Sequence, residues 1–430
     1  MKKTFATALI LLCLLTTIAV NLHFAKAQPT LPTLPPPIYI QSDGSINPST
    51  APIQRTGNTY TLEGDVNNTI QIQQSNTIFN GNGFNITNPV NAAGPLTPIG
   101  YLPGIAVYGV SNVTITDTAF DNCITGITIQ NSTAIAINRN TIEQTLTGIA
   151  VLSSSNLNIE ANEILLSNSS GAIGMSFLPA DPQSFTPYQI NIEGNQITGG
   201  SSQAPATPYP QPRQWGIWGG FNQSNVTRNS INDLYGIALY YTGSNNVIKE
   251  NNLQNNYDGL FFTGDADLSV NNIIYENNFI QNTANAVVPW IDGPPPGNNW
   301  DNGTVGNYWS DYNGTELDNS GLGGTPYIIQ TVYMNYTLNE NETVWEGQDN
   351  HPLINPINIP YIATGVLELK SQSSKATPAQ TSLPLNSTSS IPELTWLMIA
   401  PLLFSALLVA LAHRHRKTHL KQLNTLNARA

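Results

Sequence analysis

The sequence predicts an all-β protein: a right-handed parallel β-helix (solenoid), a C-terminal capping module and a single C-terminal transmembrane helix. Three observations predict the solenoid. Asn-x-apolar marks recur at Asn140, Asn162, Asn195, Asn229, Asn251 and Asn277, at intervals of about 22, 33, 34, 22 and 26 residues. Gly-apolar marks at Gly104, Gly126, Gly148, Gly216, Gly236 and Gly259 advance with them, on a common unit of about 22 residues. Between the marks, segments such as "NVTIT" near Ile115, "AIAIN" near Ile137 and "INIEG" near Ile192 alternate apolar and polar residues. A period of two with β-branched residues specifies strands.

A unit of about 22 residues, at roughly 3.3 Å each, gives about 73 Å of path. That suits one coil of three short strands joined by tight corners, with coils stacked about 4.8 Å apart. Leucine-rich repeats have a similar length but need a Leu-x-x-Leu-x-Leu framework, which is missing here. In this reading Ile142, Ile149 and Val151 point inward over equivalents such as Ile164 and Ile127. Asn140 occupies a corner, where Asn tolerates left-handed backbone and its amide can bond to the amides above and below. Gly148 supplies positive φ or a close approach as the next strand begins. One coil cannot bury its own apolar side, so the array folds as a unit. Roughly nine coils fit between Thr59 and Trp300.

The elements follow in order. Lys2 and Lys3 precede an apolar run from Ala6 to Val20, and Ala25-Lys26-Ala27 is a small-x-small cleavage motif, so residues 1–27 read as a signal peptide. Residues 28–57 form a Pro-rich lead-in and opening segment, 58–300 the β-helix and 301–362 the capping module. Residues 363–390 include "SQSSKATPAQTSLPLNSTSS", a Ser/Thr/Pro-rich stalk that cannot build a core. Leu394 to Leu411 is uncharged and long enough to span a bilayer, which places a transmembrane helix at 391–412. Arg414, Arg416, Lys417 and Lys421 in the tail 413–430 mark its cytoplasmic side. The expected location is a cell membrane, single-pass, with an extracellular ectodomain and a cytoplasmic C-terminus. Only Cys123 remains after signal removal, so stability rests on no intramolecular disulfide. The net charge of −12 argues against nucleic acid as a partner. Sequons occur at Asn67, Asn112, Asn222, Asn313 and Asn335, among others.

"SNVTITDTAFDNCITGITIQNSTAIAINRNTI" resembles the parallel β-helix repeats of the NosD-like family, also found in carbohydrate-binding proteins and sugar hydrolases. "GNYWSDYNGT", "GLGGTPYII" and "DNHPLINP" are similar to the closing module of that family, and "IPELTWLMIAPLL" to the anchor of its archaeal surface members. The resemblance covers most of the mature chain and implies the fold, with little to say on chemistry. It also raises copper, because NosD-like proteins are described as periplasmic copper-binding accessories. Copper prefers imidazole, thiolate or thioether ligands. Outside the two ends the chain offers only His351, Cys123, Met175 and Met334, far apart; His413, His415 and His419 lie in the basic tail.

Two further sites are weighed. Relatives carry alternating Asp residues before "GTPY"; here Glu316 and Asp318 remain, a weak calcium candidate against an ordinary capping loop. The long intervals enclose "LPADPQSFTPYQ" and "SSQAPATPYPQPRQWGIWGGF", Pro-rich loops where function is expected. Trp218, Ala238 and Phe261 share one offset from the Gly marks, with Tyr209, Arg213 and Trp215 nearby. Aromatic rings cover the apolar faces of sugars while polar neighbours bond hydroxyls, so Tyr209, Arg213, Trp215, Trp218 and Phe261 form a candidate glycan face. Cleavage would need paired carboxylates; Asp233, Glu250, Asp258, Asp265 and Asp267 stand in no recognisable hydrolase or lyase motif. The favoured expectation is a non-enzymatic, cofactor-free surface protein that binds polysaccharide or surface glycans or serves in envelope structure or adhesion. A polysaccharide lyase, epimerase or hydrolase is the alternative, and a copper-site accessory ranks below it.

Overall fold

The computed structural model describes residues 36–87, 103–169, 171–179, 186–200, 214–234, 236–262, 269–287, 297–335 and 340–360. The signal peptide, stalk, transmembrane helix and tail expected from the sequence lie outside them. Among the described residues there is no helix long and apolar enough to cross a membrane.

The chain winds through three sheets in turn, A, B and C, and each strand pairs in parallel with the strand one coil away. Sheet A runs from Ile38–Ile40 through Thr147–Leu152 to Ala284–Val287, sheet B from Thr59–Leu62 through Ser155–Glu160 to Ile273–Tyr275, and sheet C from Asn85–Thr87 through Glu163–Leu166 to Tyr308–Trp309. This is the stacked β-helix that the repeat predicts. At the first coil, Ile46–Asn47 and Ile53–Thr56 add antiparallel to Ile38–Ile40 and Thr59–Leu62. After the last coil, Tyr327–Asn335 and Glu340–Asp349 form a two-stranded hairpin.

The core is a set of aliphatic columns. Ile137 lies opposite Ile159 and Ile159 opposite Ile192 in sheet B, and Ile142 opposite Ile164 and Ile164 opposite Ile197 in sheet C. In sheet A, Ile127, Ile149, Met175 and Ile217 form one column and Ile129, Val151 and Phe177 the next. All of these side chains are fully buried. Each stabilises the fold by about 1.5–3 kcal/mol relative to exposure. The column ends on aromatic rings: Phe279 stacks on Trp309 at 4.3 Å, and Trp309 on Tyr327 at 4.3 Å.

The corner between sheets B and C carries the asparagine ladder. The amide of Asn140 donates to Asn162 Oδ1 at 3.0 Å, and the relay continues through Asn195, Asn229, Asn251, Asn277 and Asn307 at 2.9–3.0 Å. Each amide also bonds a backbone carbonyl, as Asn140 does Ile115 at 3.1 Å. The left-handed backbone falls one residue earlier than expected, at Arg139, Ala161, Arg228, Glu250 and Glu276 (φ 53–56°). The Asn is chosen for its side-chain amide, and the turn itself is made by the residue before it. Asp349 ends the ladder: its Oδ2 accepts Asn307 N at 2.7 Å and Trp309 Nε1 at 2.9 Å, and its Oδ1 accepts His351 N at 3.0 Å. Burial pushes the Asp349 carboxyl up to about 6, against these hydrogen bonds, which lower it.

The glycine marks are close approaches rather than positive-φ turns. A Cβ on Gly148 would lie 2.5 Å from Gly174 O and 3.0 Å from Ile164 Cγ2, and Gly126, Gly174 and Gly216 repeat that geometry. One mark is displaced. Gly236 pairs with Gln214, so the residue aligned with Gly216 is Ala238. In that coil the facing position in sheet C is Leu253, which lacks the β-branch of Ile142, Ile164, Ile197 and Ile231.

Candidate functional site: an aromatic column on sheet A

The long intervals all open at the edges of sheet A. In the sequence the repeat spacing is broken by extra residues between Pro179 and Thr186, between Gly200 and Gln214, and between Phe262 and Ser269. Each break directly follows or precedes a sheet A strand: Ile173–Leu178, Gln214–Gly220 or Asp258–Phe262. At the corner between sheets B and C the amide ladder runs unbroken from Asn140 to Asn307.

On the outer face of the same sheet, Trp218 lies opposite Tyr240, and Tyr240 opposite Phe261. The offset from the glycine marks had placed Ala238 between the two rings; Ala238 is instead fully buried, because the register follows Gly216 to Ala238 and not to Gly236. Tyr240 is thus the member of the column that the glycine marks missed. Counting one repeat of about 22 residues from Trp218 would have found it. All three side chains are partly exposed, as is Trp215. Trp215 and Trp218 are tilted at 44° with centroids 6.3 Å apart, and Tyr240 and Phe261 stack at 5.2 Å and 20°. Gly219, at φ +120°, follows Trp218; a Cβ there would lie 2.0 Å from Phe177 O, so only glycine lets this strand press onto its neighbour. Tyr209 and Arg213 of the expected face lie outside the described residues.

The carboxylates do not gather at these rings. Asp258 is buried at the start of its strand, opposite Ile237 and Ala284. Asp233 is exposed and accepts Asn255 Nδ2 at 3.0 Å. Glu250 lies at the other corner, between sheets B and C, 2.7 Å from Lys249 Nζ and 3.6 Å from Arg228 Nε; Arg228 also pairs with Glu193. The hydrogen bond to Glu250 raises the Lys249 pKa. Asp265 and Asp267 lie outside the described residues. Of the calcium candidates, Glu316 accepts the backbone N–H of Gly321 at 2.7 Å, and Asp318 is exposed on the same loop.

The copper-type donors do not fit a shared centre. Cys123 is buried, 3.5 Å from Ile86 O. Met175 is in the core two coils further on. His351 sits at the last coil, 3.5 Å from Asp301 and seven strand steps from the Cys123 coil along sheet C, roughly 34 Å. Among the described residues no three His, Cys, Asp or Glu side chains form a metal-holding group.

A family model described as periplasmic copper-binding protein (NosD) matches residues 42–314. A search of curated proteins found no match. Solved structures with a similar fold include a mutant of the periplasmic alginate epimerase AlgG (13% identity, 56% of this chain and 68% of that one, TM-score 0.39). An alginate lyase from Paenibacillus sp. str. FPU-7 aligns at 15% identity over 56% of this chain and 97% of that one, with TM-score 0.30. A tailspike protein of E. coli bacteriophage HK620, in complex with a pentasaccharide, aligns at 10% identity over 59% of each chain, with TM-score 0.35. These likenesses concern the fold alone. The family match spans well over half of the sequence and coincides with the stacked coils, and on that ground the chain belongs to the NosD family.

Proposed function

We propose that the protein is a membrane-anchored, cell-surface β-helix that binds glycans through the outer face of sheet A, without catalysis. The observation that carries the reading is the in-register column Trp218, Tyr240 and Phe261, with Trp215 beside its first ring. Partly exposed aromatic rings on adjacent coils offer an apolar strip on a rigid surface, and sugars pair such strips with their C–H faces. The rings are held by backbone ladders and by each other, so little side-chain freedom remains to be lost on binding. Absence of a convergent carboxylate pair among the described residues favours binding over cleavage.

In this reading residues 1–27 direct export, 301–362 close the solenoid, 363–390 are a stalk, and 391–412 hold the body outside a membrane with 413–430 inside. The proposed face also takes in Tyr209 and Arg213, which precede the first ringed strand in the sequence. The test is a glycan array probed with the soluble ectodomain, together with incubation of polysaccharides and analysis for shortened or unsaturated products. Retention of glycans without product is the expected result. Product formation would replace a binding protein by an enzyme, and a blank array would remove the glycan reading. Cell fractionation with protease shaving tests the anchored, outward orientation.

A further inference from the structure

Resting on the glycan reading, we infer that the ligand is a neutral polysaccharide laid along the axis of the β-helix across at least three coils, and not a polyuronate. Direction comes from register. Trp218, Tyr240 and Phe261 are opposite one another on neighbouring parallel strands, so the strip runs across the strands, along the axis. Its first and last rings are two strand steps apart, about 10 Å. That length exceeds one sugar unit and approaches the reach of three. Beyond Trp218 the same register continues through Ser176, which is buried, and then Ala150 and Thr128, small half-buried residues, so the aromatic strip itself ends at Trp218.

Chemical class comes from charge. Across the sheet A strands from Ile105–Tyr108 to Ala284–Val287, the described residues include no Lys, Arg or His. The one carboxylate among them, Asp258, is buried. The whole chain has a net charge of −12. A polyuronate would bring one carboxylate per sugar to strands without a cation, where Arg213, just before the first ringed strand in the sequence, offers a single positive charge, on a protein that repels polyanions at long range. A neutral chain meets no such penalty. Its C–H surfaces meet the ring edges and indoles, and its hydroxyls meet the Tyr240 hydroxyl and the polar residues beside the strip.

The experiment measures binding of the purified protein to neutral oligosaccharides (β-glucan, mannan and xylan series, two to eight units) and to oligomannuronate and oligogalacturonate of equal lengths. Expected is binding of at least one neutral series, with affinity rising until three or more units are reached and changing less than about twofold between 50 and 300 mM salt. Trp218→Ala and Phe261→Ala are each expected to lower that affinity by about tenfold or more. Ile78→Ala, an exposed position on sheet B, is expected to leave it unchanged. Circular dichroism of each variant separates loss of binding from loss of fold, and Trp218→Phe is expected to recover part of the affinity. Preferential binding of the uronate series, or affinity complete with a single sugar, overturns this inference while leaving a glycan protein standing. Failure to bind any series, or self-association of wild type that Trp218→Ala abolishes, overturns the glycan reading and this inference together.

Discussion

Removing one amide from the middle of the ladder should weaken the solenoid far more than its size suggests. Asn229 is fully buried. Its Nδ2 reaches Ile192 O at 2.9 Å, Thr227 O at 3.0 Å and Asn251 Oδ1 at 3.0 Å, and its Oδ1 accepts Asn195 N at 2.9 Å and Asn195 Nδ2 at 3.0 Å. Asn229→Ala removes all of these and leaves the backbone N–H of Asn195 buried with its acceptor gone. A net hydrogen bond contributes about 0.5–1.5 kcal/mol, and an orphaned buried donor costs about 1–3 kcal/mol. The bonds share atoms, so the expected loss is about 3–5 kcal/mol rather than their full sum. Guanidinium unfolding followed by far-ultraviolet circular dichroism measures it, and hydrogen exchange should show the Asn195 amide losing protection first. Asn255→Ala is the control: its exposed amide reaches Asp233 at the surface from a left-handed backbone (φ 55°), and the expected cost is about 1 kcal/mol or less. If Asn229→Ala falls within that same margin, the ladder does not hold the coils together and the account of the corner fails.

Gly148→Ala should cost about 1–3 kcal/mol, since its Cβ would meet Gly174 O and Ile164 Cγ2. Adding Ile164→Leu should recover part of that loss, as the natural Ala238 and Leu253 coil suggests, and a double-mutant cycle in the same denaturation assay reads the coupling. The buried Asp349 carboxyl, raised by desolvation from 3.8 to about 6, binds its proton more tightly in the folded state than in the unfolded one. Its contribution is therefore full below about pH 4 and is lost as pH rises through 6, by up to about 3 kcal/mol. Asp349→Asn should flatten that part of a stability-versus-pH curve, and an unchanged slope would refute the assignment. Arg139→Ala breaks a 2.7 Å ion pair with Asp117 whose arginine is half exposed; the loss should stay below about 1 kcal/mol and shrink in high salt. Equilibration of the purified protein with copper, then desalting and elemental analysis, should leave no metal on the solenoid. A stoichiometric content that survives deletion of the tail from His413 would show that its scattered donors do meet.

The repeat was legible because each coil is a local object. An Asn, an aliphatic and a Gly at a fixed distance recur whenever the next coil must sit on the last, so Asn140, Asn162, Ile137 and Ile159 could be placed from spacing alone. The glycan face was only partly legible. Trp215, Trp218 and Phe261 were in view, but Tyr240 was hidden behind Gly236, a glycine that looks like a mark and is out of register by two residues. The left-handed corner residues were assigned one position late, since the Asn signal is stronger than that of the varied Arg, Ala and Glu beside it.

By itself the sequence determined the architecture: a period of about 22 residues, read through strand geometry, leaves a stacked coil with a dry aliphatic interior and an amide at one corner. It also determined the poverty of metal ligands and of cations, which composition records directly. Only the tertiary structure decided register across the irregular coils, and so which aromatic stands over which. It alone brought Asp349 back 42 residues to end the ladder at Asn307. The physical reason is that parallel pairing constrains residues one coil apart, while insertions at the edges of sheet A alter the count without altering the stack.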